Sequence, residues 1–312
     1  MKQKRQKMKG LSREVDHTGS WGRARNHLTG YLFTSPALFV IFCLVAYPFF
    51  VAISLSLTDA WVGQRGSFVG LQNFIELPRN DIFRQTLKNS LIYTFFSVLI
   101  KIHLGMGLSL LLHRKIRFQR FFRGAILLPW VIPNTLSTLG WLWMFDSLFS
   151  VINWVLTHLS IIQKGLPWLS NPTLAMVSII TVNVWRGLPF FAITMLAGLV
   201  SIPQEVYKAA QVDGAGPIRI FFHITLPLLK PLIVIVILFS TIFTISDFNI
   251  VFVLTRGGPM NMTHLFSTLA FQVGLAGGRL SQGAAISLVL FPILVIVVYF
   301  QLKTIRGGTT YE

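Results

Sequence analysis

The sequence predicts an all-α, polytopic membrane protein of six transmembrane helices. Three features predict it: composition, the length of the apolar runs and the placement of charge. Of the 312 residues 53% are hydrophobic and 12% are charged, whereas a soluble domain carries charge on roughly a quarter of its residues. The apolar residues gather into six runs, near 31–57, 89–112, 125–145, 172–197, 231–255 and 283–302. Each is long enough to cross a hydrocarbon core of about 30 Å as a helix, and a helix satisfies its own backbone where no water can reach.

The formal charge of +17 is spread unevenly. Residues 1–30 hold eight Lys and Arg, 113–124 five, 198–230 three and 303–312 two, against four, one and two in the stretches 58–88, 146–171 and 256–282. That asymmetry obeys the positive-inside rule and puts both termini in the cytoplasm. It argues against nucleic-acid binding, since no basic stripe sits on a folded soluble segment. The first run is too long for the apolar part of a cleaved signal peptide and no A-x-A-like site follows it, so it stays as the first span.

Residues 1–30 therefore read as a basic cytoplasmic tail, 31–303 as a six-helix membrane domain and 304–312 as a second tail. No period of 20–50 residues recurs. The longest external segment, 58–88, has room for one short surface helix near residues 82–87. Helix-disturbing residues cluster in two runs: Pro129 and Pro133 in the third, Gly187 and Pro189 in the fourth. Such breaks are tolerated in lipid where they line a cavity or pack on protein.

The stretch Ser201–Pro231, inside the basic loop 198–230, is polar enough to stay out of lipid and reads as two short helices. Ser201 and Gln204 stand in capping-box register, and Pro203 suits a first turn. Glu205 complements the helix dipole. Asp213 and Gly214 offer a left-handed stop, and Pro217 opens the second helix. Ala209 and Ala210 leave a nearly bare face that lets another protein approach the backbone.

This stretch resembles the EAA motif of ABC-importer permeases. There an EAA triplet is followed, after three residues, by Gly and, after nine more, by I-x-L-P. Lys208, Ala209, Ala210, Gly214, Ile224, Leu226 and Pro227 stand at those spacings. Ala46-Tyr47-Pro48, FVGLQNF at 68–74 and LTRGGP at 254–259 extend the resemblance over most of the chain from about residue 31, and favour the carbohydrate branch, of maltose type.

The resemblance implies the permease subunit of a binding-protein-dependent ABC importer in a bacterial-type inner membrane. In that family the loop is a coupling helix, docked on the ATPase here through Glu205, Tyr207, Lys208, Ala209, Ala210, Asp213, Gly214 and Ala215. Lys208 departs from the motif's acid, and Glu205, one turn earlier, is the residue placed to substitute. The implied partners are a second permease subunit as a heterodimer, two copies of an ATP-binding subunit, an extracytoplasmic solute-binding protein and membrane lipid. No cofactor is expected on this chain, which has no G-x-x-x-x-G-K-[ST] loop; ATP and Mg belong to the partner ATPase.

Two polar stripes lie at membrane depth. Asn183, Arg186, Gly187 and Phe190 fall on one face of the fourth helix. Ser240, Thr244 and Asp247 do so in the fifth, with Phe243 beside them. A charge there is costly, so Arg186 and Asp247 face the interior or water. By resemblance to maltose-type permeases these eight are candidates for binding a sugar or similar polar solute. The same residue types also serve interhelical hydrogen bonds, and Arg186 and Asp247 could form a buried ion pair. Lys101 and His103 receive no role. Trp141, Trp143, Trp154 and Trp168 read as an interfacial belt.

Catalysis finds no support: the seven His are dispersed, H-E-x-x-H is absent and no metal site is suggested. Cys43, the single cysteine, is a packing residue. An ion-gradient-driven transporter is the alternative, but such folds commonly carry internal repeats and more spans.

Overall fold

The computed structural model describes residues 20–306, with side chains for 31–303. Residues 1–19 and 307–312, parts of the two expected tails, lie outside the described residues. The regular structure of the described chain is helical, apart from two isolated bridges, Thr58 to Phe68 and Trp61 to Gln64.

The described residues form two units, divided after residue 54. In the first, α1 (Ser20–Ile41) runs through a π turn, Phe42–Ala46, into α2 (Tyr47–Ser56). Part of the stretch expected as a tail, residues 20–30, is thus helical. No described side chain of residues 31–54 is buried, as suits an element whose apolar surface faces lipid or another subunit.

The second unit begins with α3 (Gln72–Glu76) and α4 (Asp81–His113). The surface helix expected near 82–87 is the first turns of α4 instead. Asn80 caps it, its Oδ1 accepting from the backbone N–H of Ile82 and Phe83 at 2.9 and 3.3 Å, with Asp81 in the first turn. The helix thus starts ahead of its apolar run.

The third apolar run is broken. α5 (Gln119–Ala125) and α6 (Leu128–Val131) precede α7 (Asn134–Met144), and the bend between 119–131 and 134–144 is 93°. Ile132, directly before Pro133, is extended at φ −68°, ψ 131°, the conformation that a following proline imposes. Among the described residues five helices are long and apolar enough to cross a membrane, Tyr31–Ser56, Asp81–His113, Pro172–Ser201, Pro217–Leu254 and Leu280–Lys303; the bent pair makes up to six. α8 (Val151–His158) lies in the segment that follows.

α9 (Pro172–Ser201) continues through Pro189. α10 (Gln204–Val212), α11 (Pro217–Ile220), a π turn at Phe221–Thr225, α12 (Leu226–Ile245) and α13 (Asn249–Leu254) follow. α14 (Phe266–Phe271) leads through a third π turn, Gln272–Ala276, into α15 (Leu280–Arg306).

Packing joins these rods in two main clusters. Tyr93 of α4, Ile179 and Val182 of α9 and Ile250 and Val251 of α13 share one, with Phe145. Phe83 of α4, Phe266 and Leu269 of α14 and Ile286 of α15 form another. The tryptophans divide. Trp143 is 79% exposed and Trp154 points outward, as a belt requires. Trp141 and Trp168 turn inward: Trp141 stacks on Phe145, and Trp168 Nε1 donates to Asn153 Oδ1 at 2.9 Å.

Candidate functional site

All eight residues of the two polar stripes line one cavity of about 350 Å³, with Lys101, Trp130, Asn134, Phe191 and Ile250 completing it. That volume falls within the span of small-molecule sites. α4, α9 and α12 supply most of the wall, and the break at Pro133 brings Trp130 and Asn134 to it from α6 and α7.

A hydrogen-bonded chain ties the three long helices together. Lys101 of α4, only 3% exposed, donates from Nζ to Asn183 Oδ1 and Thr244 Oγ1, both at 2.9 Å. Asn183 Nδ2 donates to Asp247 Oδ2 at 3.1 Å, and the Tyr93 hydroxyl donates to the same oxygen at 2.7 Å. Asp247 Oδ1 accepts from the Ile250 N–H at 3.3 Å. Asp247 sits where helix is interrupted between α12 and α13, the kind of irregular backbone that membranes accept only where it lines a cavity or packs on protein.

The Arg186–Asp247 ion pair is not formed: among the described residues the one ion pair within 4 Å joins Arg84 to Asp81. Tyr93 and Asn183 occupy the Asp247 carboxylate instead. Arg186 Nη1 and Ser240 Oγ are buried without a hydrogen-bond partner. Gly187 makes room for Lys101, since a Cβ there would lie 2.7 Å from Lys101 Cδ.

Lys101 and Tyr93 are the members that the sequence did not assign. Lys101 did leave a signal, as a lone charge inside an apolar run, which at membrane depth marks function by default. Tyr93 left none, because an aromatic in an apolar helix looks like packing. The aromatic part of the wall is Phe190, Phe243 and Trp130, with Trp130 and Phe190 ring centroids 6.1 Å apart.

The second candidate region is the 201–231 loop, which forms the expected helix pair with one change in its capping. Ser201 does not cap α10; its Oγ donates to the Gly198 carbonyl at 2.7 Å, and Pro203 takes the cap position without a side-chain bond. The helix end is as expected. Gly214 has φ +76°, its N–H reaches the Gln211 carbonyl at 3.1 Å and the Ala215 N–H reaches Ala210 at 2.9 Å, a Schellman closure.

The eight residues of this loop do not share one face. Glu205, Lys208, Ala209, Asp213 and Gly214 are exposed; Ala210 is buried, and Tyr207 and Ala215 are half-buried. Tyr207 instead accepts a hydrogen bond from Thr225 Oγ1 at 3.4 Å. Val212, absent from the expected set, is 88% exposed. Beneath α10 a cavity of about 540 Å³ lies between it, the end of α4 at Leu110–Arg114 and residues 217–225.

Comparison with known proteins agrees with this architecture. The family described as binding-protein-dependent transport system inner membrane component matches residues 101–306. The sulfoquinovosyl glycerol transport system permease protein SmoG of Agrobacterium fabrum is 33% identical over 291 residues, 92% of this chain and 93% of that protein. The trehalose/maltose transport system permease protein MalF of Thermococcus litoralis is 32% identical, covering 89% of this chain and 93% of that protein. The crystal structure of a bacterial ABC transporter involved in the import of the acidic polysaccharide alginate contains a chain of the same fold. Its TM-score is 0.79 at 21% identity, with 93% of this chain and 99% of that one covered.

Proposed function

The chain belongs to the family of binding-protein-dependent transport system inner membrane components, and on that premise we propose that it conducts a sugar or related small polar solute through the cavity between α4, α9 and α12. It is a multi-pass permease subunit of an ABC importer, a transport component and not an enzyme. The observation that carries the solute path is the convergence of Asn183, Arg186, Gly187, Phe190, Ser240, Phe243, Thr244 and Asp247 on one wall. Convergent donors and acceptors suit hydroxyls, and an aromatic ring packs on the apolar face of a sugar. SmoG is a permease protein of a sulfoquinovosyl glycerol transport system and MalF of a trehalose/maltose transport system, and both support this class.

In this reading the chain crosses the membrane six times, the bent pair 119–131 and 134–144 serving as the third passage, with both termini cytoplasmic. It pairs with a second permease subunit, receives solute from an extracytoplasmic binding protein and rests on two ATP-binding subunits that hold ATP and Mg. α10 docks on one of them through Glu205, Lys208, Ala209, Val212, Asp213 and Gly214, while Tyr207, Ala210 and Ala215 anchor it to its own chain.

Movement of α10 has a direct route to the solute. α11, the π turn and α12 form one rod, roughly 35 Å from Pro217 to Ser240 at the helical rise of about 1.5 Å per residue; α12 carries Ser240 and Thr244 on the cavity wall, and Asp247 follows just past its end. Nucleotide-driven displacement at its cytoplasmic end therefore shifts one side of the solute site against α4 and α9, which is the alternation of access.

Uptake of a panel of labelled saccharides by proteoliposomes holding the complete transporter tests the solute class. At least one saccharide accumulates inside; accumulation of none, with a non-saccharide solute taken up instead, rejects the sugar assignment.

A further inference from the structure

We propose that the solute is an acidic saccharide and that Arg186 is the residue that holds its negative group. The inference rests on the reading of the cavity as the solute path, and it names the class of solute.

Three ionisable side chains line the cavity: Lys101, Arg186 and Asp247. Two have their partners within the protein. The Asp247 carboxylate accepts from Tyr93, Asn183 and the Ile250 N–H, and the Lys101 ammonium donates to Asn183 and Thr244. Arg186 differs: its Nη1 is buried and makes no hydrogen bond. A guanidinium keeps its charge in any protein environment. Buried charges are otherwise paired, because an isolated one is costly to hold away from water.

Ser240 supplies an independent observation. It is 5% exposed, lines the same cavity, and its Oγ is also without a partner. The lining therefore holds a guanidinium nitrogen and a hydroxyl whose hydrogen-bonding capacity is unused, while its one carboxylate is already engaged. A neutral sugar brings no negative group to the guanidinium. A carboxylate or sulfonate on the sugar matches the planar fork of arginine with two parallel N–H bonds, and Phe190 and Phe243 remain available to the ring.

The test is saturation-transfer NMR on the complete transporter in lipid nanodiscs, without the binding protein, using glucuronate and glucose as probes. Glucuronate binds about tenfold more tightly than glucose, the scale of one charge-assisted hydrogen bond. Arg186→Gln weakens glucuronate about tenfold and glucose far less, and Arg186→Lys, which keeps the charge, retains part of the preference. Equal affinity for the two probes in the unaltered protein overturns the proposal, as does an equal loss of both in Arg186→Gln. Glucose binding without any preference removes only the charge assignment and leaves the cavity a sugar site. Failure of both probes to bind removes the cavity's role along with it.

Discussion

Lys101 holds the membrane-embedded network together, because its ammonium is the donor that links α4 to both α9 and α12. Lys101→Met keeps the aliphatic bulk but leaves Asn183 Oδ1 and Thr244 Oγ1 without that donor. Loss of a buried partner costs about 1–3 kcal/mol, so thermal unfolding of the purified complex shifts downward. Because Asn183 is its direct partner, Lys101→Met and Asn183→Leu combine non-additively, with a coupling of about 0.5–3 kcal/mol; additive effects would show that the two side chains do not communicate. His264 gives a pH dependence at the same scale. It is buried, its Nδ1 is 3.1 Å from Thr268 Oγ1, and burial pushes its pKa down to about 4. The unfolded chain therefore binds more protons than the folded one between about 6.5 and 4, so stability falls as pH drops through that window. His264→Gln removes this part of the pH dependence, measurable as a smaller difference in unfolding temperature between pH 7 and pH 5.

Among the elements, α10 and its stop carry the clearest expectation. Gly214 holds φ +76° with open space around the position of a Cβ, so a substitution there strains the backbone without a clash. A β-branched side chain resists that conformation. Gly214→Val abolishes ATP-dependent uptake while membrane insertion, followed by fractionation, is unchanged; normal uptake by this variant counts against docking through α10. The helix pair and its stop were legible in the sequence because Pro, Gly and Asp act locally. Which of its residues face outward was not, because Tyr207 packs against the cluster of Leu199, Ile202 and Leu229 and Ala210 is buried. In the third apolar run the prolines marked a helix disturbance in advance, but not the size of the 93° bend. Apolar length sets whether a stretch suits lipid, but Pro133 decides that Ile132 is extended and the run breaks there.

For the whole molecule, the all-helical, multi-span character was readable because lipid imposes a minimum length on apolar runs. The cavity was half readable. Its stripes on α9 and α12 follow helical periodicity, whereas Trp130 and Asn134 join them through tertiary packing beside the break at Pro133. Under the proposed function, a solute site on α12 at one end of a rod and a docking helix α10 at the other make transport depend on what grips α10. The direct measurement is solute accumulation by proteoliposomes holding the complete transporter, with ATP and an ion gradient supplied separately. Accumulation that requires ATP hydrolysis and persists when ion gradients are collapsed is the predicted result; accumulation that follows an ion gradient and ignores ATP would contradict the account.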